Sequence, residues 1–89
     1  MTKQKILEAG IKAWRKDPAS VTASNLARVL GLTHPAILYH FPKGVKDAVA
    51  DYAVKIKDKK IMAQLIVVKH KAVASLSAEE KRDILGVIG

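Results

Sequence analysis

Residues 22–41, TASNLARVLGLTHPAILYHF, decide how this chain is read. Thr22 is a good helix N-cap, because its hydroxyl can take an orphan backbone N–H. Leu26, Ala27 and Leu30 then recur at helical spacing, and Gly31 sits where a helix stops on a left-handed residue. Thr33 caps a further helix, and Pro35 falls in its first turn, where a missing N–H costs nothing. Ile37, Leu38 and Phe41 can face a core, and Pro42 and Gly44 end the segment. Two short helices joined by a glycine turn have the size of a helix-turn-helix, whose second helix enters the DNA major groove.

Working outward, the rest of the chain also reads as helix. Ile6, Leu7, Gly10, Ile11, Ala13 and Trp14 place an amphipathic helix over residues ~3–16, edged by Lys3, Lys5, Lys12, Arg15 and Lys16 and ended at Asp17 and Pro18. A fourth helix is predicted from about Val45 to Lys59, with Val49, Tyr52, Ala53 and Ile56 as one stripe. A fifth segment covers ~61–75, and Ser77 with Glu80 forms a capping box that opens a last helix ending near Gly86. The expected fold is therefore all-α: a small helical bundle containing a helix-turn-helix, with one or two extra C-terminal helices. Residues 1–60 are expected to form the DNA-binding domain, and 61–89 a helical dimerisation or interaction segment.

Composition points the same way. The chain has 89 residues, sixteen Lys and Arg against eight Asp and Glu, and a net charge of +8. Such an excess suits a polyanion, since each neutralised phosphate releases condensed counterions. There is no cysteine, hence no disulfide or thiolate zinc site. His34, His40 and His70 lack metal-ligand spacing, so no metal or cofactor is expected. A Gly-rich phosphate loop, a nucleophile motif and a histidine beside paired carboxylates are all missing, which argues against an enzyme. The apolar run IMAQLIVV, residues 61–68, falls far short of the ~20 residues that span a bilayer. MTKQKILEAG has no signal-peptide core, so a cytoplasmic setting in a bacterium, or a viral protein in a bacterial host, is expected.

Residues 6–41, ILEAGIKAWRKDPASVTASNLARVLGLTHPAILYHF, resemble the N-terminal DNA-binding domain of the tetracycline-repressor (TetR) family. ILEAGIKAW is similar to the family's first helix, VTASNLARVLGL to its second and THPAILYHF to its recognition helix, while FPKGVKDAV resembles the start of its fourth. The resemblance runs through residue ~56. It departs from the pattern at three positions: Leu38 stands where the family has a phosphate-contacting Tyr, with Tyr39 one place later. Gly44 stands at the site of a phosphate-anchoring lysine, flanked by Lys43 and Lys46, and Ser24 at a position that is often Arg. The roughly 33 residues that follow are too few to enclose a drug-sized cavity and hold a core, so ligand-controlled repression and a small-molecule ligand are not expected.

In such a unit the start of the third helix reaches base edges. That assigns Thr33, His34, Pro35 and Ala36 to the groove: His34 for a base edge, Pro35 and Ala36 for a thymine methyl. Tyr39 and His40 fall nearer the backbone; Thr22, Ser24, Lys3, Lys43 and Lys46 complete the phosphate contacts. The bland alternatives are that His40 satisfies its own helix end, that Tyr39 is partly core and that the lysines are simply solvated. Ile61, Leu65, Val68 and Ala72 read as one apolar stripe, and Ile84, Leu85 and Ile88 as another, which together predict a homodimer interface. Two functions follow: a minimal transcriptional regulator acting as a homodimer, or a small phage or plasmid DNA-binding adaptor for packaging, replication or docking on host polymerase.

Overall fold

The computed structural model describes the backbone of residues 2–88 and side chains through residue 86. The described residues are all-α, as expected. Six helices follow in order: α1 (Thr2–Lys16), α2 (Ala23–Leu30), α3 (His34–His40), α4 (Val45–Lys55), α5 (Lys59–Val67) and α6 (Ala78–Ile88), with short 3₁₀ turns at Pro18–Ser20 and Lys71–Val73. No described helix is long and apolar enough to cross a membrane. The chain divides into two compact units, residues 1–49 and 50–89, with the division inside α4.

Local hydrogen bonds explain why these helices start and stop where they do. Thr22 and Thr33 both have extended backbones, and their hydroxyl oxygens accept from the amides of Asn25 at 3.1 Å and Ala36 at 3.2 Å. Gly31 takes φ 68°, a left-handed value that suits a residue without Cβ, while the Leu32 amide reaches back to the Ala27 carbonyl at 2.8 Å. The Ser77–Glu80 box is reciprocal: the Glu80 amide donates to Ser77 Oγ at 3.1 Å, and the Ser77 amide to Glu80 Oε1 at 3.3 Å.

In the first unit, α1 buries Ile6, Ile11 and Trp14. These meet a core shared with Val21, Leu26 and Ala27, with Ile37 and Phe41, and with Val45 and Val49 at the start of α4. Leu38, expected to face inward, is 42% exposed. Helix α3 is only seven residues long, and its inward face accommodates Ile37 alone among fully buried side chains.

The second unit departs further from expectation. The fourth helix ends at Lys55, and Asp58 caps a separate α5 by accepting from the Ile61 amide at 3.2 Å. Helix α5 stops at Val67 instead of running to ~75, so Ala72 lies in a 3₁₀ turn and shares no helical stripe with Ile61, Leu65 and Val68. Ile61, Met62, Ala63 and Leu65 are all buried. A helix apolar nearly all round is a core element, not one wall of an interface. Met62, Ala63 and Ile84 cluster with Val54, Ile66 and Leu76. The interface assignment of Ile61, Leu65 and Ile84 is thereby corrected, since side chains already enclosed within one chain have no surface left for a partner. Val68 stays exposed, as do Val67 and Leu85; Ile88 lies outside the residues whose side chains are described.

Both of these unexpected helix ends turn on a lysine. Lys57 at φ 57° and Lys69 at φ 56° occupy the left-handed region. In each case the next amide reaches back five residues, Asp58 to the Ala53 carbonyl and His70 to the Leu65 carbonyl. The left-handed region costs a non-glycine residue roughly 1–2 kcal/mol. Lys57→Gly and Lys69→Gly are each expected to stabilise the protein by about 0.5–1 kcal/mol, the gain being reduced by glycine's greater unfolded-state entropy. Thermal melts of both variants check this; a lowered midpoint for both would show that these ends are not built as described.

Candidate nucleic-acid interface

Helix α3 presents most of its surface outward. Thr33, His34 and Pro35 are exposed at its start and Leu38 and Tyr39 further along, while Ala36 is half-buried. Tyr39 is 82% exposed, so the aromatic side chain that could have joined the core stands in solvent. His40 is half-buried, its ring edge-on to Tyr39 at 5.4 Å and 6.4 Å from Phe41. The Thr33 hydroxyl accepts from the Ala36 amide and keeps its own proton to donate outward, and Thr22 does the same at the start of α2. Those two hydroxyls are therefore both cap and donor.

Two cations are held in place by aromatic rings. The Lys3 ammonium lies 5.7 Å from the centroid of Phe41, the residue that ends α3. Lys46, in the first turn of α4, lies 5.5 Å from the centroid of Trp14. A cation over a ring face gains roughly 0.5–1 kcal/mol at an exposed site, enough to narrow where the charge sits without neutralising it. Lys43 is exposed in the connection between α3 and α4. Gly44 there has φ 113°, a conformation that a residue with a side chain rarely adopts, so the backbone at this position suits glycine.

Helix α2 adds a group the sequence reading overlooked. The Arg28 guanidinium donates to Asn25 Oδ1 at 2.8 Å, while Asn25 Nδ2 donates to the Ser20 carbonyl at 2.9 Å. Asn25 so ties the turn before α2 to an oriented, exposed Arg. The signal was present as an Asn and an Arg three residues apart, which share one helix face. Ser24 is exposed on the same helix. Helices α2 and α3 and the segments flanking them thus carry cations, hydroxyl donors and an exposed aromatic, which is chemistry suited to phosphate and base edges. Among the described residues no group of three His, Cys, Asp or Glu is placed to hold a metal ion. Comparison with protein-family models, with curated proteins and with solved structures yields no match.

Proposed function

We propose that this protein is a DNA-binding protein of the helix-turn-helix class, with α2 and α3 as the motif and α3 in the major groove. More narrowly, it is a minimal transcriptional regulator that acts as a homodimer. The observation that carries the reading is the outward face of α3: Thr33, His34, Pro35, Leu38 and Tyr39 are exposed on a chain of net charge +8, with Ile37 as the helix's one fully buried anchor. His34, Pro35 and Ala36 read bases; Tyr39, His40, Thr22, Ser24, Arg28, Lys3, Lys43 and Lys46 hold phosphates. One such motif reads only a few base pairs, which favours two copies one helical turn apart. Among the described residues of the segment expected to pair, Val67, Val68 and Leu85 are exposed apolar side chains that a second copy could cover.

The test begins by selecting a preferred site from a pool of random duplexes and following its binding by fluorescence anisotropy. The logarithm of affinity should fall linearly with that of salt, by about 0.9 per phosphate neutralised. His34→Ala should reduce discrimination against a scrambled duplex by roughly 1–3 kcal/mol. Lys46→Ala should weaken both duplexes alike and reduce the salt slope by about one contact. Saturation at two chains per site fits the dimer, whereas a ring or larger assembly fits the adaptor reading. A salt-independent response would remove the DNA reading.

A further inference from the structure

Within the first unit, α1, α2 and the turn between them line an open groove of about 580 Å³. That volume lies within the roughly 300–1,000 Å³ of small-molecule sites. The groove stands apart from the exposed α3 residues assigned to DNA, none of which lines it. Its lining is mostly apolar, with Ala9 and Ala13 from α1 and Leu26, Val29 and Leu30 from α2. Val29 is 65% exposed, and the proposed DNA face gives it no role.

The polar groups in the lining divide into two kinds. Three are already engaged in hydrogen bonds: Ser20 Oγ contacts the Ala13 and Asp17 carbonyl oxygens at 3.1 and 2.7 Å, Asn25 bridges Ser20 and Arg28, and Asp17 Oδ1 accepts from the Ala19 amide at 3.0 Å. The others are exposed cations along α1, namely Lys5, Lys12 and Lys16. Glu8, one turn before Lys12, and Asp17, next to Lys16 in the chain, offset part of that charge and leave the lining net positive. Lys12 and Lys16 are like charges one turn apart, a spacing that disfavours a helix and that an anion between them would relieve. The groove therefore offers apolar walls, few open hydrogen-bonding groups and a net positive lining of three lysines against two carboxylates.

We propose that this groove binds a small organic anion with an aromatic or aliphatic body, the body against Leu26, Val29 and Leu30 and the anionic group at Lys12 and Lys16. The site is independent of the DNA reading and stands or falls by itself. Anilinonaphthalene sulfonate is a suitable probe, being an aryl anion whose fluorescence rises on apolar contact. The full-length protein should bind it saturably at one site, with amide NMR shifts concentrated in residues 9–16 and 26–30. Reversing both lysines (Lys12→Glu with Lys16→Glu) should weaken binding roughly tenfold, on the scale of two exposed ion pairs. The uncharged analogue phenylnaphthylamine should bind the native protein more weakly by a similar factor. Val29→Glu, a change at an exposed position, should abolish binding with the circular dichroism spectrum unchanged. Absence of saturable binding, shifts centred on Val67–Val68 or Leu38–Tyr39, or equal affinity for the charged and uncharged dyes would each overturn the proposal.

Discussion

Replacing Ile37 by Ala is expected to lower the thermal midpoint by ten degrees or more, through a loss of about 2–5 kcal/mol. The side chain is 0% exposed and is the one fully buried residue of α3. Its truncation leaves a cavity that a seven-residue helix, capped at Thr33 and Phe41, has few other contacts to close around. A small domain has a total stability of only about 5–15 kcal/mol, so the loss is a large share of it. Duplex binding should fall with it, because α3 then samples positions other than the docked one. Leu38→Ala on the same helix is the control: at 42% exposure it should move the midpoint only slightly. Differential scanning calorimetry of the two variants decides the matter. If Leu38→Ala proves the costlier change, α3 faces the core differently from the packing described.

Gly10→Ala sets two rules against each other, and its sign is therefore informative. Glycine inside a helix costs about 1 kcal/mol relative to alanine, so propensity alone makes the change stabilising. A Cβ at Gly10, however, would lie 2.4 Å from Val49 Cγ2 and 3.1 Å from Cγ1, well inside contact distance. Both residues are buried where α1 meets the start of α4, and a valine cannot swing its methyls away as a long side chain could. Overpacking of this kind costs roughly 1–3 kcal/mol, so Gly10→Ala should destabilise despite the gain in propensity. In a Val49→Ala background the same substitution should become stabilising, which amounts to a coupling between the two positions of about 1–3 kcal/mol. Denaturant titration of the four proteins in the cycle measures it. Additive effects would mean that the two helices do not approach so closely at Gly10.

Much of the architecture was legible in the sequence because its signals are local. Thr22, Gly31, Thr33 and the Ser77–Glu80 pair act on amides and carbonyls within a few residues of themselves, so residue type and spacing alone place those helix ends. The ends at Lys57 and Lys69 were not legible, because lysine at a left-handed position carries no residue-type signal. There the chain turns without glycine, and one long expected segment becomes a nine-residue helix and a 3₁₀ turn.

The candidate site divides along the same line. Its residue types, the caps of α2 and α3 and the basic charge could be read directly; the standing of individual side chains could not. Periodicity allowed Leu38 and Tyr39 to be core, and packing exposed both. Lys3 and Lys46 were two cations among many until Phe41 and Trp14, distant in sequence, were found beneath them. Arg28 became a candidate only through its bond to Asn25.

By itself, then, the sequence determined an all-helical chain, the caps that bound its short helices and a strongly basic surface, because propensity, capping and net charge depend on near neighbours or on simple sums. Only the tertiary structure decided which apolar residues are enclosed. Ile61, Leu65 and Ile84 read as surplus surface in one dimension and are core in three, whereas Val29, Val67 and Val68 remain outside. Burial depends on which elements meet, and a hydrophobic stripe has the same appearance in sequence whether it is covered by its own chain, by a second copy or by a ligand.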